Sequence, residues 1–294
     1  MKGFIVVILV FTLLSCGKTK GTEDKSDKNQ ESKLFMENIT TKSIEYFDGK
    51  TVLEGYLAYD SSLKGKRPGV LVAHAWMGLD EYAKRRARQL ASLGYVAFAL
   101  DIYGKGVRAK DHKEAMKLSG IYRNNKDRSL MRSRAGAGLQ QLVNHELTNK
   151  NQVAAIGYCF GGATVLELAR SGGDLKGIVT FHGSLSTPHR DDAKNIKGQV
   201  IILHGSDDPH ISNEEISNFR DEMREAQVNM RFVSFAGAKH AFTVPSANNP
   251  KMGLEYNQLA DEESWSIMQS FFNEIFKRND QKKNQPVKDK SVSQ

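Results

Sequence analysis

Apolar residues change their spacing along the chain, and each change marks a segment. Residues 4–14 form an apolar run broken only by Thr12 and preceded by Lys2. The run is about half the ~20 residues a membrane-spanning helix needs, and it has the length of a signal-peptide core. Residues 17–32 contain no apolar side chain. They cannot bury a core, so 16–35 is expected to be a disordered tether. From residue 36 the pattern is that of a folded domain. Alternating segments at 41–46 and 51–59 flank Asp48-Gly49, a hairpin signal. Residues 68–73 (PGVLVA) are a short apolar run, as in a strand buried on both faces. Asp80 can cap a helix running to Leu93, with Gly94 closing it and a strand at 95–100. The region 110–149 is mostly helical in composition, with Leu130, Met131, Leu139, Leu142 and Val143 at helical spacing in its second half.

After that the alternation is regular. A strand at 153–156 leads to a helix at 160–170, and a strand follows at 177–181. A strand at 200–203 precedes a helix at 213–226. A strand at 230–235 precedes a loop at 236–250 and an amphipathic helix at 264–276. An antiparallel hairpin followed by strand–helix units predicts an α/β domain over 36–277. Its expected sheet is mostly parallel, twisted, of about eight strands, with helices on both faces. Residues 1–15 read as a leader and 278–294 as a loose, charged tail.

Composition narrows the reading further. The 294 residues suit one large α/β domain with tails, and the formal charge of +8 gathers at 84–88 and in the tail. With no recognisable nucleic-acid module, that charge reads as solvated surface rather than a nucleic-acid site. There are two cysteines, Cys16 and Cys159. Each has its own explanation, so no disulfide is expected. The sequence Leu13-Leu14-Ser15-Cys16-Gly17 resembles a bacterial lipobox. The resemblance implies cleavage before Cys16, acylation of its thiol, and a domain held by lipid in the cell envelope outside the cytoplasm. Gly17 is not the aspartate that retains many lipoproteins in the inner membrane, which favours the outer one.

The chemistry centres on AAIGYCFGG, residues 154–162. Gly157 and Gly161 stand two residues either side of Cys159, the spacing of a nucleophile elbow with cysteine in place of serine. A nucleophile on a sharp strand-to-helix turn needs small neighbours, and the amides of the helix N-terminus favour a thiolate and an oxyanion alike. In a parallel sheet, functional residues lie past the carboxyl ends of strands. Asp207 and Asp208 do so in LHGSDDPHI, and His240 does so in AGAKHAF. The order nucleophile, acid, histidine is that of α/β-hydrolases. Histidine can shuttle the proton and a carboxylate can fix its tautomer. Asp208, directly before Pro209, is the expected acid, and Asp207 remains the alternative. Backbone N–H groups of Phe160 and of Trp76, with Met77 second, are the expected oxyanion donors.

His74, His182 and His204 also stand at strand ends. No H-E-x-x-H or comparable ligand pair accompanies them, so no metal is expected. His74 and His182 read as pocket-lining or backbone-bonded, and His112, His145 and His189 as loop or helix-surface residues.

GYCFGG, HGSDDPHI and GAKHAF, with HAWMGLDEYAKRRARQLASLGYVAFALDIYGKG upstream, together resemble the dienelactone hydrolase family over residues 43–276. The resemblance implies an α/β-hydrolase fold and cofactor-free cleavage of a small-molecule ester or lactone through a thioester. It implies Cys159 as nucleophile, Asp208 as acid and His240 as base, with no obligate protein partner. Two positions depart from the family pattern: Ala75 stands for a glutamate beside the resting cysteine, and Val244 for a substrate-binding arginine. A further family arginine falls unassigned within 110–134. A neutral or larger ester suits a pocket lined by Met77, His74 and Phe242 beside Trp76 and Phe160. Two other readings are a catalytically degraded hydrolase fold used for binding, and redox chemistry at Cys159. The second lacks a resolving cysteine in the domain. In a bacterial host, the wild-type chain should incorporate labelled fatty acid and Cys16→Ser should not. A wild-type chain that takes up no label contradicts the anchor.

Overall fold

The computed structural model describes residues 38–283 except 125, with the backbone alone for 278–283. The expected leader, the lipidation site Cys16, the tether and the last part of the tail lie outside the described residues.

Eight strands form one sheet. They are β1 (Ile39–Asp48), β2 (Thr51–Asp60), β3 (Arg67–Ala73), β4 (Val96–Leu100), β5 (Thr148–Tyr158), β6 (Gly177–Phe181), β7 (Gln199–Gly205) and β8 (Met230–Phe235). Their order across the sheet is β1-β2-β4-β3-β5-β6-β7-β8. The β1–β2 and β2–β4 pairs are antiparallel and all others parallel. Asp48 pairs with Thr51 across a two-residue turn in which Gly49 takes φ 58°, a conformation glycine adopts without strain. The helices are α1 (Glu81–Ser92), α2 (His112–Arg123), α3 (Ser129–Asn144), α4 (Phe160–Arg170), α5 (Asn213–Glu225) and α6 (Gln258–Lys283).

The period of two within the strands divides the core into two layers. Leu71, Val96, Phe98, Ala155, Ile178 and Ile202 face one side, where Met131 and Leu142 of α3, Val165 of α4 and Phe219 of α5 cover them. Val70, Val72, Ala97, Ile156, Val179 and Leu203 face the other, under Leu90 of α1 and Phe271 and Phe272 of α6. Both faces of β3, β4, β6 and β7 are therefore dry, which explains their apolar runs, whereas β8 at the sheet edge exposes Arg231 and Ser234. The Asp80 side chain accepts from Ala83 N–H and caps α1 as expected.

Four elements differ from the sequence expectation. β5 begins at Thr148 rather than 153, because Thr148 and Asn149 pair with Arg67 and Pro68 through a register shift. Its polar stretch Asn149-Lys150-Asn151 hides that extension from an apolar pattern. The helical region 110–149 is two helices, and Arg128 between them takes φ 56°. The loop 236–250 carries a small antiparallel pair, β9 (Asn248–Asn249) with β10 (Leu254–Glu255). Finally, α6 starts at Gln258, where the Asn257 side chain accepts from Ala260 N–H, and its backbone continues to Lys283. The helix thus runs past the tail boundary expected at 278, through residues whose charge masks any apolar stripe.

Candidate active site

The carboxyl ends of β5, β7 and β8 converge. Cys159 follows β5 directly, at φ 54° and ψ −117°. A non-glycine residue in such a conformation costs about 1–3 kcal/mol, so the surroundings must enforce it. They do so by leaving no room. A Cβ on Gly157 would sit 2.0 Å from Gly161 O, one on Gly161 would sit 2.2 Å from Ala73 O, and one on Gly162 would sit 2.6 Å from Gly183 Cα. The turn therefore closes only with glycine at those positions, and α4 starts at the next residue. Its first amide, Phe160 N–H, lies near the Cys159 sulfur and helps to lower the thiol's pKa. Cys159 itself is half-buried.

His240 lies in the loop after β8. Its Nδ1 is 2.7 Å from Asp208 Oδ2, and its ring lies close enough to the Cys159 sulfur for each to shift the other's pKa. The other Asp208 oxygen accepts from His210 N–H at 2.8 Å. A Cβ on Gly205 would lie 2.4 Å from Ala238 O, so the β7 turn and the histidine loop touch with nothing between them. The structure thus brings Cys159, His240 and Asp208 together. Asp207 stays outside: it is exposed and takes the Ser206 hydroxyl at 2.7 Å, a turn role.

Burial works against a charge on any of the three, yet each shift runs the other way. Burial pushes the Cys159 thiol up, but the adjacent His240 charge and hydrogen bond outweigh it, and the thiol ends below its usual range. Burial likewise opposes the imidazolium, and the Cys159 thiolate with the Asp208 carboxylate raises His240 to about 10. Asp208 is desolvated too, and its bond to His240 still holds it below the ordinary carboxylate range. All three shifts favour the charged forms, a thiolate beside an imidazolium beside a carboxylate.

His240 is supported on several sides. The rings of His182 and His210 meet it edge-to-face at 5.1 and 5.0 Å. His182 is fully buried, and burial holds it far below the usual histidine range, hence neutral. Its Nε2 lies 2.8 Å from Thr243 Oγ1. The β9–β10 hairpin is tied to the same loop: Glu255 N–H donates to His240 O at 3.1 Å, and His210 Nε2 lies 2.8 Å from Met252 O.

Two cavities of about 330 and 260 Å³ open on the site and share Trp76, Cys159, His240 and Leu254. Met77, Tyr82, His182, Ala75 and Val244 line the first. Met116, Phe160, Ile211 and Met252 line the second, with Arg123 as the only arginine or lysine among the described residues lining either. Met77 is where the sequence placed it. His74 and Phe242 are not pocket-lining: both are fully buried, His74 in hydrogen bonds to backbone and Phe242 against His182 and Phe235. His112, expected as mere surface, stacks on Trp76 at 5.3 Å and borders the first cavity. Arg123 and His210 carried no usable sequence signal, since nothing local says that their elements turn toward Cys159. Among the described residues, no group of three or more histidine, cysteine or acidic side chains could hold a metal ion.

Comparison with known proteins places this arrangement. Residues 53–276 match the sequence model of the dienelactone hydrolase family. Protein usf of Aquifex pyrophilus is 27% identical over 236 residues, 79% of this chain and 97% of that one. The crystal structure of a dienelactone hydrolase-like promiscuous phosphotriesterase from metagenomic libraries is 38% identical with a TM-score of 0.77, covering 81% of this chain and 99% of that one. A thermophilic esterase of Thermogutta terrifontis, 17% identical with a TM-score of 0.59 over 82% and 95% of the two chains, shares the fold.

The charge state of the site is open to direct measurement. A free thiol loses alkylation rate about tenfold per pH unit below about 8.5. With its pKa lowered, Cys159 should keep its plateau rate with iodoacetamide to a lower pH than a free thiol does. In Asp208→Asn the imidazolium loses its carboxylate, so the midpoint should move up. A wild-type rate that falls from about 8.5 as for a free thiol contradicts the ion pair.

Proposed function

The chain belongs to the dienelactone hydrolase family, hydrolases of ester and lactone bonds, and from that membership we propose that Cys159, His240 and Asp208 carry the reaction through a thioester. One observation supports this most strongly. A strained Cys159 borders the same cavities as an imidazole whose Nδ1 is held on Asp208 Oδ2 at 2.7 Å, and the two lie close enough to shift each other's pKa.

The steps follow from the groups present. The Cys159 thiolate attacks the carbonyl carbon, and the carbon–oxygen double bond opens to an oxyanion. Phe160 N–H and Trp76 N–H receive that oxyanion. When the tetrahedral intermediate collapses, His240 gives its proton to the departing alkoxide. An alcohol leaves, or in a lactone the ring opens, and a thioester remains. The now neutral His240 takes a proton from water as the water attacks the thioester. Collapse returns the thiolate, the imidazolium and a carboxylic acid product. Asp208 keeps the proton on the correct nitrogen and stabilises each imidazolium stage.

The lining bears on the substrate. Ala75 and Val244, where the family pattern has charges, both border the first cavity. Trp76, Met77, Val244 and Leu254 give the first arm apolar walls beside the polar Asp80, Ser246, Asn248 and Asn249, and the second is mostly apolar with Arg123 as its one arginine or lysine. An ester with apolar groups on both sides of the carbonyl fits that lining better than a small dicarboxylate. The 38% identical relative named as a promiscuous phosphotriesterase makes an aryl phosphotriester the second substrate class to assay. The lipobox-like residues support a lipid anchor at Cys16 in a bacterial envelope. Such a tether would join the domain at Ile39, which pairs with Asp60 at the end of the sheet away from Cys159.

Cys159→Ala should reduce hydrolysis of activated aryl esters to background, and His240→Ala should cost at least about 10³-fold in kcat/KM. Either variant turning over at the wild-type rate overturns the assignment.

A further inference from the structure

His74 is buried, neutral and close to the elbow, yet it touches neither Cys159 nor the cavities. Its bonds are unusually informative. Ile102 N–H donates to its Nε2 at 3.2 Å. An amide nitrogen only donates, so Nε2 is the acceptor and the single proton of the neutral ring sits on Nδ1. Nδ1–H then donates to Ala75 O, 2.7 Å away. The ring is completely buried, which holds its pKa below the ordinary histidine range and keeps that tautomer in place. Tyr103 meets its edge at 5.0 Å and Phe160 stacks on it at 6.0 Å, so it cannot turn.

The effect is to lock one peptide plane. Ala75 O takes His74 Nδ1–H and also Gly78 N–H at 3.1 Å. The Ala75–Trp76 peptide is trans, so its N–H points opposite to its carbonyl. With the carbonyl held toward His74, Trp76 N–H faces the other way, and it meets no acceptor among the described residues. The carbonyls that follow are anchored too: Trp76 O takes the Tyr103 hydroxyl at 2.8 Å and Met77 O takes Ala109 N–H at 3.0 Å. The loop presses on the elbow, since a Cβ on Gly161 would come within 2.7 Å of His74 O, and Trp76 borders both cavities beside Cys159.

We propose that His74 is a positioning residue for acyl transfer: it fixes the Ala75–Trp76 peptide so that Trp76 N–H is presented to the oxyanion. The proposal rests on the thioester reading above. Without the His74 bond, Ala75 O keeps only the Gly78 N–H bond, and the less firmly held peptide can turn its carbonyl oxygen toward the place where negative charge develops. Losing one preorganised oxyanion donor costs about 10²–10³ in kcat. His74 also refines the choice between Trp76 and Met77, because it holds the peptide that bears the Trp76 amide.

Two reactions of the same sulfur separate positioning from structural damage. Ester cleavage passes through an oxyanion, whereas iodoacetamide alkylation is a direct displacement that needs none. In the full chain, His74→Leu should lower kcat for an activated aryl ester by about 10²-fold, leave KM nearly unchanged, and leave the rate and pH dependence of Cys159 alkylation as in wild type. His74→Gln can donate to Ala75 O and accept from Ile102 N–H, and should recover at least about tenfold of the lost kcat. If His74→Leu does not fold, His74→Asn, whose shorter amide cannot reach both partners, takes its place in the comparison with glutamine. Unchanged kcat in His74→Leu overturns the proposal. So does a loss of alkylation that parallels the loss of kcat, or a glutamine variant no faster than leucine or asparagine. An active Cys159→Ala would instead defeat the thioester reading itself, so the two failures are distinguishable.

Discussion

Everything at the functional end of this molecule depends on one backbone conformation, that of Cys159 at φ 54°. The strain is sustained because the chain packs too closely to relax: β3 ends against Gly161, and Gly162 lies against Gly183 just beyond β6. Those contacts make β5 stop and α4 start without an intervening loop. The abrupt start puts the first amide of α4 at the sulfur, and the close packing draws the loop after β3 to the same point. A larger residue at 157, 161 or 162 would therefore disturb the sulfur, the amide and the loop together.

Charge is the second layer. Burial disfavours charge on Cys159, His240 and Asp208, and each is shifted toward its charged form by its neighbour, Cys159 by His240 and His240 by Cys159 and Asp208. The neutral rings around them matter as much. His182 packs on His240 and His74 packs behind the elbow, and burial keeps both uncharged. Two further cations in that space would oppose the His240 charge. Burial thus lets histidine serve as a shaped hydrogen-bonding wedge at 74 and 182, while at 240 the neighbouring charges of Cys159 and Asp208 override it.

The sheet was readable in the chain wherever strands are buried on both faces. Segments 177–181 and 200–203 fall on β6 and β7 because their apolar runs are bounded by turn residues. The elbow was readable because glycine spacing records a steric need, and Asp208 was preferred over Asp207 from its place before Pro209. Contacts between distant segments were not readable. His74 meets Ile102 and His240 meets Glu255 through tertiary packing that leaves no local pattern. Arg123 reaches the cavity because α2 folds across it, and His74 and Phe242 drop behind the lining because the loops bearing them turn inward. Polar strand ends, as in β5, escape any reading built on apolar periodicity.

The central claim is that Cys159 carries the acyl group, and intact-mass spectrometry of the protein quenched in acid during turnover of a slow aryl ester tests it most directly. The account predicts a mass increase equal to the acyl group, mapped to the peptide containing Cys159 and removed by hydroxylamine at neutral pH. Turnover at full rate with no adduct on the chain, or with the adduct on another residue, would contradict it.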